Sequence, residues 1–476
     1  MKYLKKIAFL ISFFLVILQG YSQTEDSKNW KWKSDNQENE ALFIGNNTIT
    51  KTVKPLLVDT KEWWKAFGYT QLDSLVDLAI KSNIDLKIAQ TKIEQARAQK
   101  RIVLSTLFPS IRLEPSFMRQ ELSGNRPNPF GGQLSKVNLN SFEVPLTLTY
   151  KLDIFGENID QVNASNLLSS ASEENKRDIK LQVITEVAQN YFLLLQLDAE
   201  NNLLKNTEET RVHNLKITST RYGAGLVSQI DVLRAKSELS SVQVQEKNNK
   251  KLRSEVELIL ALLTGVDATH FSIAPTSIKY MPPEVLFLEK ELVPLSRPDL
   301  KVAELMIESS EKLVRSQKKQ LLPSFYVNGS YGYLSGKSSN LTDNDSRSWI
   351  AGVTASLPIF EGGKKRSEIK LRKSELVENQ EKYNQQVLLS YQQVENSYSQ
   401  LKWVHEQLLA QQEFVSAAID AANLTSERYR KGLVNYTDVV DAERQVLEAE
   451  QLSVQLFGQE LIGRVTLIKA LGITPE

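Results

Sequence analysis

An internal duplication constrains this sequence more than any other feature. The segment RYGAGLVSQIDVLRA at 221–235 returns as RYRKGLVNYTDVVDA at 428–442, an offset of 207 residues. Further matches, at offsets of 214 and then 207, run from Asp85 to Gly265 in the first half and from Asp299 to Gly472 in the second. Two such copies indicate one structural unit that is used twice in a common architecture.

Composition limits the possible functions. The chain has 476 residues, of which 41% are hydrophobic and 24% are charged, and its net charge is +1, so it can bury a large core but has no excess charge for a nucleic acid. There is no cysteine, which excludes disulfides, thiolate metal sites and a lipidated cysteine. The three histidines, His213, His270 and His405, are far apart in sequence. We therefore predict no catalytic set, metal site or cofactor.

The N-terminus predicts export. Residues 1–22 carry Lys2, Lys5 and Lys6, then an apolar run over 7–18 and small residues at Gly20 and Ser22, which is the pattern of a cleaved secretory signal. Residues 23–59 are polar and predict an extended periplasmic segment. No later run reaches the ~20 apolar residues of a membrane helix.

Each half contains one very long predicted helix. No glycine or proline occurs between Gly156 and Gly223, or between Gly363 and Gly432. Either stretch could form one helix of roughly 100 Å at ~1.5 Å per residue. The second helix carries a coiled-coil stripe formed by Val387, Tyr391, Val394, Tyr398 and Leu401. The first has a wider apolar band, which favours a closed cylinder of helices over a two-helix coiled coil, although the latter stays an alternative.

The duplicated motif predicts a turn at the end of each long helix. Gly225 and Gly432 stand where a left-handed C-terminal residue is needed, and Ser228 and Asn435 can cap the next helix three residues later. Each half therefore has a long helix, a tight tip and a returning helix.

Two segments, at about 109–155 and 323–360, change from helical periodicity to a period of two. We predict a β-hairpin in each, with polar loops at roughly 123–137 and 335–347 and strands long enough to cross a membrane at a tilt. Pro115 and Pro145 are unfavourable inside such strands. Four strands cannot close a barrel, and membrane-embedded backbone must be fully paired, so three copies would have to supply twelve strands.

Several motifs carry a family resemblance: WWKAF at 63–67, LFPSI at 107–111, YKLDIFGE at 150–157, LPIFEGG at 357–363 and both tip motifs. With them, the chain resembles the TolC-like outer-membrane factors, in the branch that serves resistance-nodulation-division pumps. The resemblance covers about residue 60 to Gly472. It implies a homotrimer with a twelve-stranded outer-membrane β-barrel continuous with a long periplasmic α-helical barrel. It also implies partners, namely a periplasmic adaptor and an inner-membrane pump.

The predicted domains follow from the duplication and the resemblance. After the signal peptide (1–22) and the extended segment (23–59), the first repeat spans 60–265, a linker 266–298, the second repeat 299–472 and a short tail 473–476. Many members of this branch have a lipidated cysteine, which this chain lacks, so its anchoring would depend on the barrel alone.

The tip holds the candidate gate residues. Asp231 and Asp438 could form acidic rings around a closed pore, but helix capping explains them equally well. Asp441 is not in a capping position, and its repeat partner is Arg234, so an ion pair between helices could hold the tip closed. Two tyrosines of the motif, Tyr222 and Tyr429, could add hydrogen bonds or simply pack under the turn.

These observations predict a non-enzymatic function, the passive outer-membrane exit duct of a tripartite efflux system. The alternative is a soluble periplasmic coiled-coil adaptor or scaffold protein. An adaptor is expected to have one helical hairpin flanked by β-rich domains, whereas this chain has two predicted helical hairpins. The sequence does not name the exported compound.

Overall fold

The computed structural model describes residues 62–127, 129, 131–132, 134–276 and 297–475. The predicted signal peptide, the segment 23–59 and most of the linker lie outside these ranges. Within them the chain forms seven α-helices: α1 (Thr70–Ser82), α2 (Ile84–Leu104), α3 (Glu157–Gly223), α4 (Gln229–Thr264), α5 (Pro298–Lys319), α6 (Lys364–Arg430) and α7 (Tyr436–Ala470). It also forms five β-strands: β1 (Ser110–Leu113), β2 (Ser116–Leu122), β3 (Val137–Leu152), β4 (Ser324–Ser335) and β5 (Arg347–Ser356).

Helices α3 and α6 are each 67 residues long and unbroken, which confirms the prediction of one very long helix in each half. Each turns back at its tip into a shorter partner, α4 after α3 and α7 after α6. The α3–α4 pair is called the first hairpin below, and the α6–α7 pair the second hairpin. None of the helices in the described ranges combines the length and the apolar character that a membrane crossing requires.

All strands join one antiparallel sheet in the order β1 and β2, then β3, β4 and β5. We predicted four strands, and the structure has five because the first is interrupted. Leu113 pairs with Leu146 and Ser116 with Glu143, so β1 and β2 keep one register against β3. The break falls at Pro115, which has no N–H to donate to the ladder.

The two faces of the sheet differ in polarity. The register places Leu146, Tyr331 and Trp349 on one face, together with most other apolar and aromatic strand residues. Thr147, Ser330 and their neighbours occupy the other face. The first and last strands have a hydrogen-bonded neighbour on one side only, so the sheet of a single chain has two free edges.

The main core lies where α1, α3, α4 and α7 meet, midway between the sheet and the tip. Tyr191 and Phe192 of α3 are at its centre. The segment before α1 closes the core with Trp63 and Trp64, both nearly inaccessible to solvent, and the Phe67 ring lies 4.9 Å from that of Phe192. A 3₁₀ turn of aromatic residues thus anchors the start of the described chain.

The same contact closes the base of each hairpin. In the first half, Asn83 Nδ2 donates to the carbonyl of Leu263 at 2.8 Å. In the second half, Arg297 Nη1 donates to the carbonyl of Ala470 at 2.7 Å, and Ala470 is 207 residues after Leu263. Two copies of one arrangement, made by different side chains, are what a duplication predicts.

Two polar triads occupy equivalent places in the hairpins, with acidic and basic residues exchanged. The first triad is Asp198, Arg253 and Glu257, and the second triad, 207 residues later, is His405, Glu460 and Arg464. In the first triad, the Arg253 guanidinium donates to Asp198 at 2.6 Å and to Glu257 at 3.2 Å. In the second, Glu460 lies 3.3 Å from His405 and accepts from Arg464 at 2.7 Å. In the first triad a basic residue lies between two acidic residues, and in the second triad an acidic residue lies between two basic residues.

Candidate functional site at the helical tip

The duplicated motif forms the turn of each hairpin. Gly225 has φ +70° and Gly432 has φ +74°, which is the left-handed conformation that glycine adopts at helix ends. The N–H of Gly225 donates to the carbonyl of Tyr222 and the next N–H, of Leu226, donates to that of Arg221, both at 2.9 Å. The second hairpin repeats this pair of bonds. The sequence-based prediction of the turn is confirmed.

Asp231 and Asp438 cap the returning helices. The backbone N–H of Ser228 donates to Asp231 Oδ2 at 3.1 Å, and that of Asn435 donates to Asp438 Oδ2 at 3.0 Å. The Ser228 hydroxyl also accepts from the N–H of Ile230 at 3.0 Å. Both carboxylates therefore have a structural role, and a ring of them around a pore stays a prediction.

The structure places Arg234 beside α7. Its guanidinium donates to the hydroxyl of Thr437, and it forms no ion pair with Asp441 within the described part of one chain. Arg234 and Asp441 are both exposed. Asp441 is thus available to a second copy of the chain, and the predicted ion pair between helices stays untested.

The two tyrosines of the motif have different surroundings. Tyr222 is exposed, whereas Tyr429 is partly buried under the turn. The Tyr429 ring lies 5.6 Å from that of Tyr436, and the Arg221 guanidinium lies 5.0 Å from its centroid. Its hydroxyl has no hydrogen-bond partner among the described residues. Packing, together with a cation–π contact, describes Tyr429 better than a hydrogen-bonded lock does.

Behind the tip, a buried ion pair joins the two hairpins. Arg211 of α3 is 2% exposed and pairs with Glu443 of α7, which is 18% exposed. Asn214 Nδ2 donates to both oxygens of Glu443, at 2.8 and 3.1 Å. Burial raises the pKa of the Glu443 carboxyl above its ordinary value, and the positive charge of Arg211 opposes this increase. Sequence reasoning missed this cluster.

Two more polar contacts cross from α4 to α7. Two guanidinium nitrogens of Arg444 donate to the buried carboxylate of Glu238, one of them at 3.0 Å. Farther from the tip, Gln451 Nε2 donates to Gln245 Oε1 at 3.1 Å. With the Arg211–Glu443 pair, these contacts hold the two hairpins of one chain together.

A comparison of the two halves contains the signal that would have revealed the buried pair. The residue equivalent to Arg211 is Ala418, and the residue equivalent to Glu443 is Lys236. The same kind of difference singled out Arg234 and Asp441. The same difference is present at Arg211, ten residues before the motif, and at Glu443, directly after its second copy.

A groove of about 500 Å³ runs beside this cluster, between α3 and α6 with α7 as its floor. Arg221, Arg430, Glu443 and Glu450 are among its lining residues. Burial raises the pKa of Glu450 too. Such a surface can hold two helical hairpins together or separate them.

The histidines lie in three different environments. His213 lines the groove, His270 is exposed after α4, and His405 belongs to the second triad. Across the described ranges, no group of three or more His, Asp and Glu side chains is arranged to hold a metal ion.

A family model described as "Outer membrane efflux protein" matches residues 75–266 and 292–473, one match in each half of the chain. Among similar proteins, the pyoverdine export outer membrane protein OpmQ of Pseudomonas aeruginosa is 26% identical over 419 residues, covering 87% of both chains. The solvent efflux pump outer membrane protein SrpC of Pseudomonas putida is 25% identical and covers 98% of both.

Solved structures agree with this match. The Campylobacter jejuni CmeC outer membrane channel superposes with a TM-score of 0.79 at 25% identity, covering 90% of this chain and 94% of that one. The outer membrane protein VceC of Vibrio cholerae superposes with a TM-score of 0.80 at 22% identity, covering 87% and 99%. The resemblance noted from the motifs is confirmed, and the fold is that of these channels.

Proposed function

Because this chain belongs to the outer membrane efflux protein family, we propose that it forms the outer-membrane exit duct of a tripartite efflux system. It conducts compounds passively from an inner-membrane pump and a periplasmic adaptor to the outside. The family consists of transport channels, and the duct itself performs no chemistry. A pump of the resistance-nodulation-division type fits the branch of the family that the motifs resemble.

The observation that carries this proposal is the sheet. It has one largely apolar face, one polar face and two free edges. Free backbone groups are costly in lipid, so the edges require partners. Since β1 and β2 keep one register against β3, they count as one interrupted strand, and each chain supplies the equivalent of four strands. Three copies then close a twelve-stranded barrel with its apolar face toward lipid. The long helices of the three copies then line a tunnel in the periplasm.

The internal repeat supports the same assembly. Each chain contributes two hairpins of similar build, so three chains place six of them around one axis. A cylinder built in this way keeps its wall continuous where one chain meets the next. The predicted signal peptide supplies export, and the barrel supplies anchoring because the sequence contains no cysteine for lipidation.

The gate lies at the tip in this proposal. Arg234 and Asp441 do not pair within a chain, and an ion pair between chains would hold neighbouring hairpins together. Replacing both, Asp441→Ala with Arg234→Ala, is expected to raise the conductance of reconstituted channels. Unchanged conductance would remove these two residues from the gate.

The names of the similar proteins include pyoverdine export and solvent efflux. We propose small organic molecules as the cargo class here, with selectivity residing mainly in the pump.

Two measurements test the duct directly. Protein extracted from membranes should change its mobility on a denaturing gel after heating, and it should conduct ions in planar bilayers. The alternative, a soluble periplasmic adaptor or scaffold, predicts a water-soluble protein with neither property. A water-soluble monomer would therefore contradict the duct.

A further inference from the structure

The first half of the chain pairs its charges where the sheet meets the long helices. Helix α3 begins there with two acids in its first turn, Glu157 and Asp160. Lys319 of α5 donates to Asp160 at 2.6 Å, and Arg315 of α5 lies 3.9 Å from the same carboxylate. Lys151, at the end of β3, donates to Glu157 at 2.5 Å. Each acid therefore has a basic partner within the chain.

The second half carries bases at the equivalent place. The 207-residue offset replaces Glu157 by Lys364 and Asp160 by Ser367. Helix α6 therefore begins with no acid in its first turn, and with the exposed bases Lys364 and Arg366. A positive charge at the N-terminal end of a helix opposes the helix dipole. These two bases thus do not stabilise the helix that carries them.

The duplication indicates which helix of the next chain these bases meet. Within a chain, α3 lies between α2 and α5, and α6 lies against α5. The α2–α3 contact, in which Asn158 donates to the carbonyl of Thr106 at 3.3 Å, recurs between α5 and α6. There the equivalents Lys365 and Gln320 are hydrogen-bonded at 2.9 Å, and Lys365 also pairs with Glu368 at 3.4 Å. In the proposed trimer, the α3–α5 contact then recurs between α6 and α2 of the next chain.

This contact between chains brings bases together. The equivalent of Arg315, at the offset of 214, is Arg101 in the last turn of α2. Lys364 and Arg366 of one chain therefore approach Arg101 of the next. Within the described part of one chain, none of these three bases forms an ion pair. Glu361, in the turn before α6, supplies one negative charge against their three positive charges.

The three bases lie at the periplasmic boundary of the proposed barrel. Strand β5 ends at Ser356, and the connection from it to α6 exposes Ile359 and Phe360, at 85% and 88%. On the other side of the contact, Phe108, between α2 and β1, is 64% exposed. Exposed aromatic side chains at the end of a membrane strand mark the interface between lipid and water. Bases directly beyond them lie at the depth of the lipid headgroups, where they attract anionic lipids.

We propose that Arg101 of one chain, with Lys364 and Arg366 of the next, binds the headgroup of an anionic phospholipid in the periplasmic leaflet. This proposal rests on the proposed function, because the site is complete only in the trimer, which has three such sites. The phosphodiester supplies the negative charge that Asp160 supplies within a chain. The exposed apolar connection between β5 and α6 contacts the acyl chains. Bound lipid thus bridges neighbouring chains at the base of the barrel.

Retention of lipid by the purified trimer tests this site. The trimer in neutral detergent is titrated with phosphatidylglycerol or phosphatidylcholine, and native mass spectrometry counts the lipids that stay bound. The parent should retain up to three phosphatidylglycerol molecules and no phosphatidylcholine. Lys364→Gln with Arg366→Gln should weaken retention roughly thirtyfold, since each base near the headgroups contributes about fivefold. Equal retention by this variant and the parent would overturn the proposal.

The matched control removes two bases near the tip, Lys216→Gln with Lys236→Gln, and should retain phosphatidylglycerol as the parent does. Arg101→Gln should weaken retention about fivefold, and it gives the same comparison if the double variant does not assemble. Unchanged retention by Arg101→Gln would refute a site shared by two chains.

Two competitors identify the ligand. Inorganic phosphate at the concentration of the lipid should not displace phosphatidylglycerol, and displacement would show a site for a free anion. Soluble peptidoglycan fragments should not displace it either, and displacement would assign the bases to the cell wall. Either result would overturn the lipid assignment. Failure of the proposed function would look different, because the parent would form no heat-modifiable oligomer and would not conduct.

Discussion

At the scale of single residues, two glycines with similar backbone angles have different surroundings. Gly225 has open space where a Cβ atom would stand, whereas a Cβ on Gly265 would lie 2.5 Å from the carbonyl oxygen of Ser82. Gly225→Ala should therefore lose only about 1–2 kcal/mol for the left-handed backbone. Gly265→Ala adds a backbone clash and should lower the temperature at which the oligomer dissociates much further. Equal shifts would contradict this difference in packing.

Glu443 predicts a pH dependence whose sign follows from its raised pKa. Burial raises the pKa of this carboxyl above the ordinary value of 4.5, so the folded chain holds its proton to a higher pH than the unfolded chain does. Ionisation of Glu443 therefore lowers stability as pH rises from about 4.5 through the raised pKa. Glu443→Gln should remove this part of the pH dependence of the dissociation temperature.

Arg211→Met is the matched control for Glu443→Gln, because it removes the opposing charge and should make the same pH dependence steeper. If the dissociation temperature of the wild type and of Glu443→Gln depended on pH in the same way, the assignment of this pH dependence to Glu443 would be contradicted. Substitution of the exposed Glu448 on the same helix should change little.

Sequence alone predicted some of these residues and missed others for a physical reason. The caps Asp231 and Asp438 were recognisable because a cap and its partner N–H lie three residues apart. Arg211 and Glu443 are separated by 232 residues, and their contact depends on how two hairpins pack. A local sequence pattern cannot show a contact of this kind. The difference in residue type between the two halves at these positions does indicate it.

At the scale of elements, the triads predict how the helices select their partners. Helix α3 packs against both α4 and α7. Asp198 of α3 accepts a hydrogen bond from Arg253 of α4, whereas the residue of α7 equivalent to Arg253 is the carboxylate Glu460. Like charges disfavour a contact between Asp198 and Glu460, as they do in natural coiled coils. The charge pattern therefore favours the pairing found within the first hairpin.

A transplant tests this role. Giving the first triad the residues of the second (Asp198→His, Arg253→Glu, Glu257→Arg) keeps oppositely charged partners within each hairpin but removes the discrimination between hairpins. The yield of heat-modifiable oligomer should fall. A variant that exchanges both triads restores the reversal and should recover the yield, and an undiminished yield from the first variant would refute the selection role.

The strands show where the element-level prediction failed. Alternation located both hairpins and their loops, because the period of two is a local property. The interruption between β1 and β2 was signalled by Pro115, yet Pro145 lies within an unbroken β3. The difference is that β3 is held by neighbours on both sides and remains paired around its proline, whereas the first strand has one neighbour.

At the scale of the whole molecule, the two faces of the sheet predict opposite responses to one substitution. Val353 of β5 lies on the apolar face and Thr354 on the other face. Val353→Arg should lose about 2–4 kcal/mol if that position meets the middle of the bilayer. Thr354→Arg places the same charge in the aqueous interior and should be tolerated. The amount of membrane-extracted oligomer measures both, and equal losses would contradict the assignment of the faces.

The two free edges of the sheet also have a genetic consequence. Because each free edge is completed by the neighbouring chain, closure of the barrel depends on the edge strands of every chain. In a cell that produces normal and edge-defective copies together, most assemblies would contain at least one defective member and would remain open to lipid. Alleles that damage β1 or β5 should therefore be dominant, whereas alleles that merely prevent synthesis should be recessive.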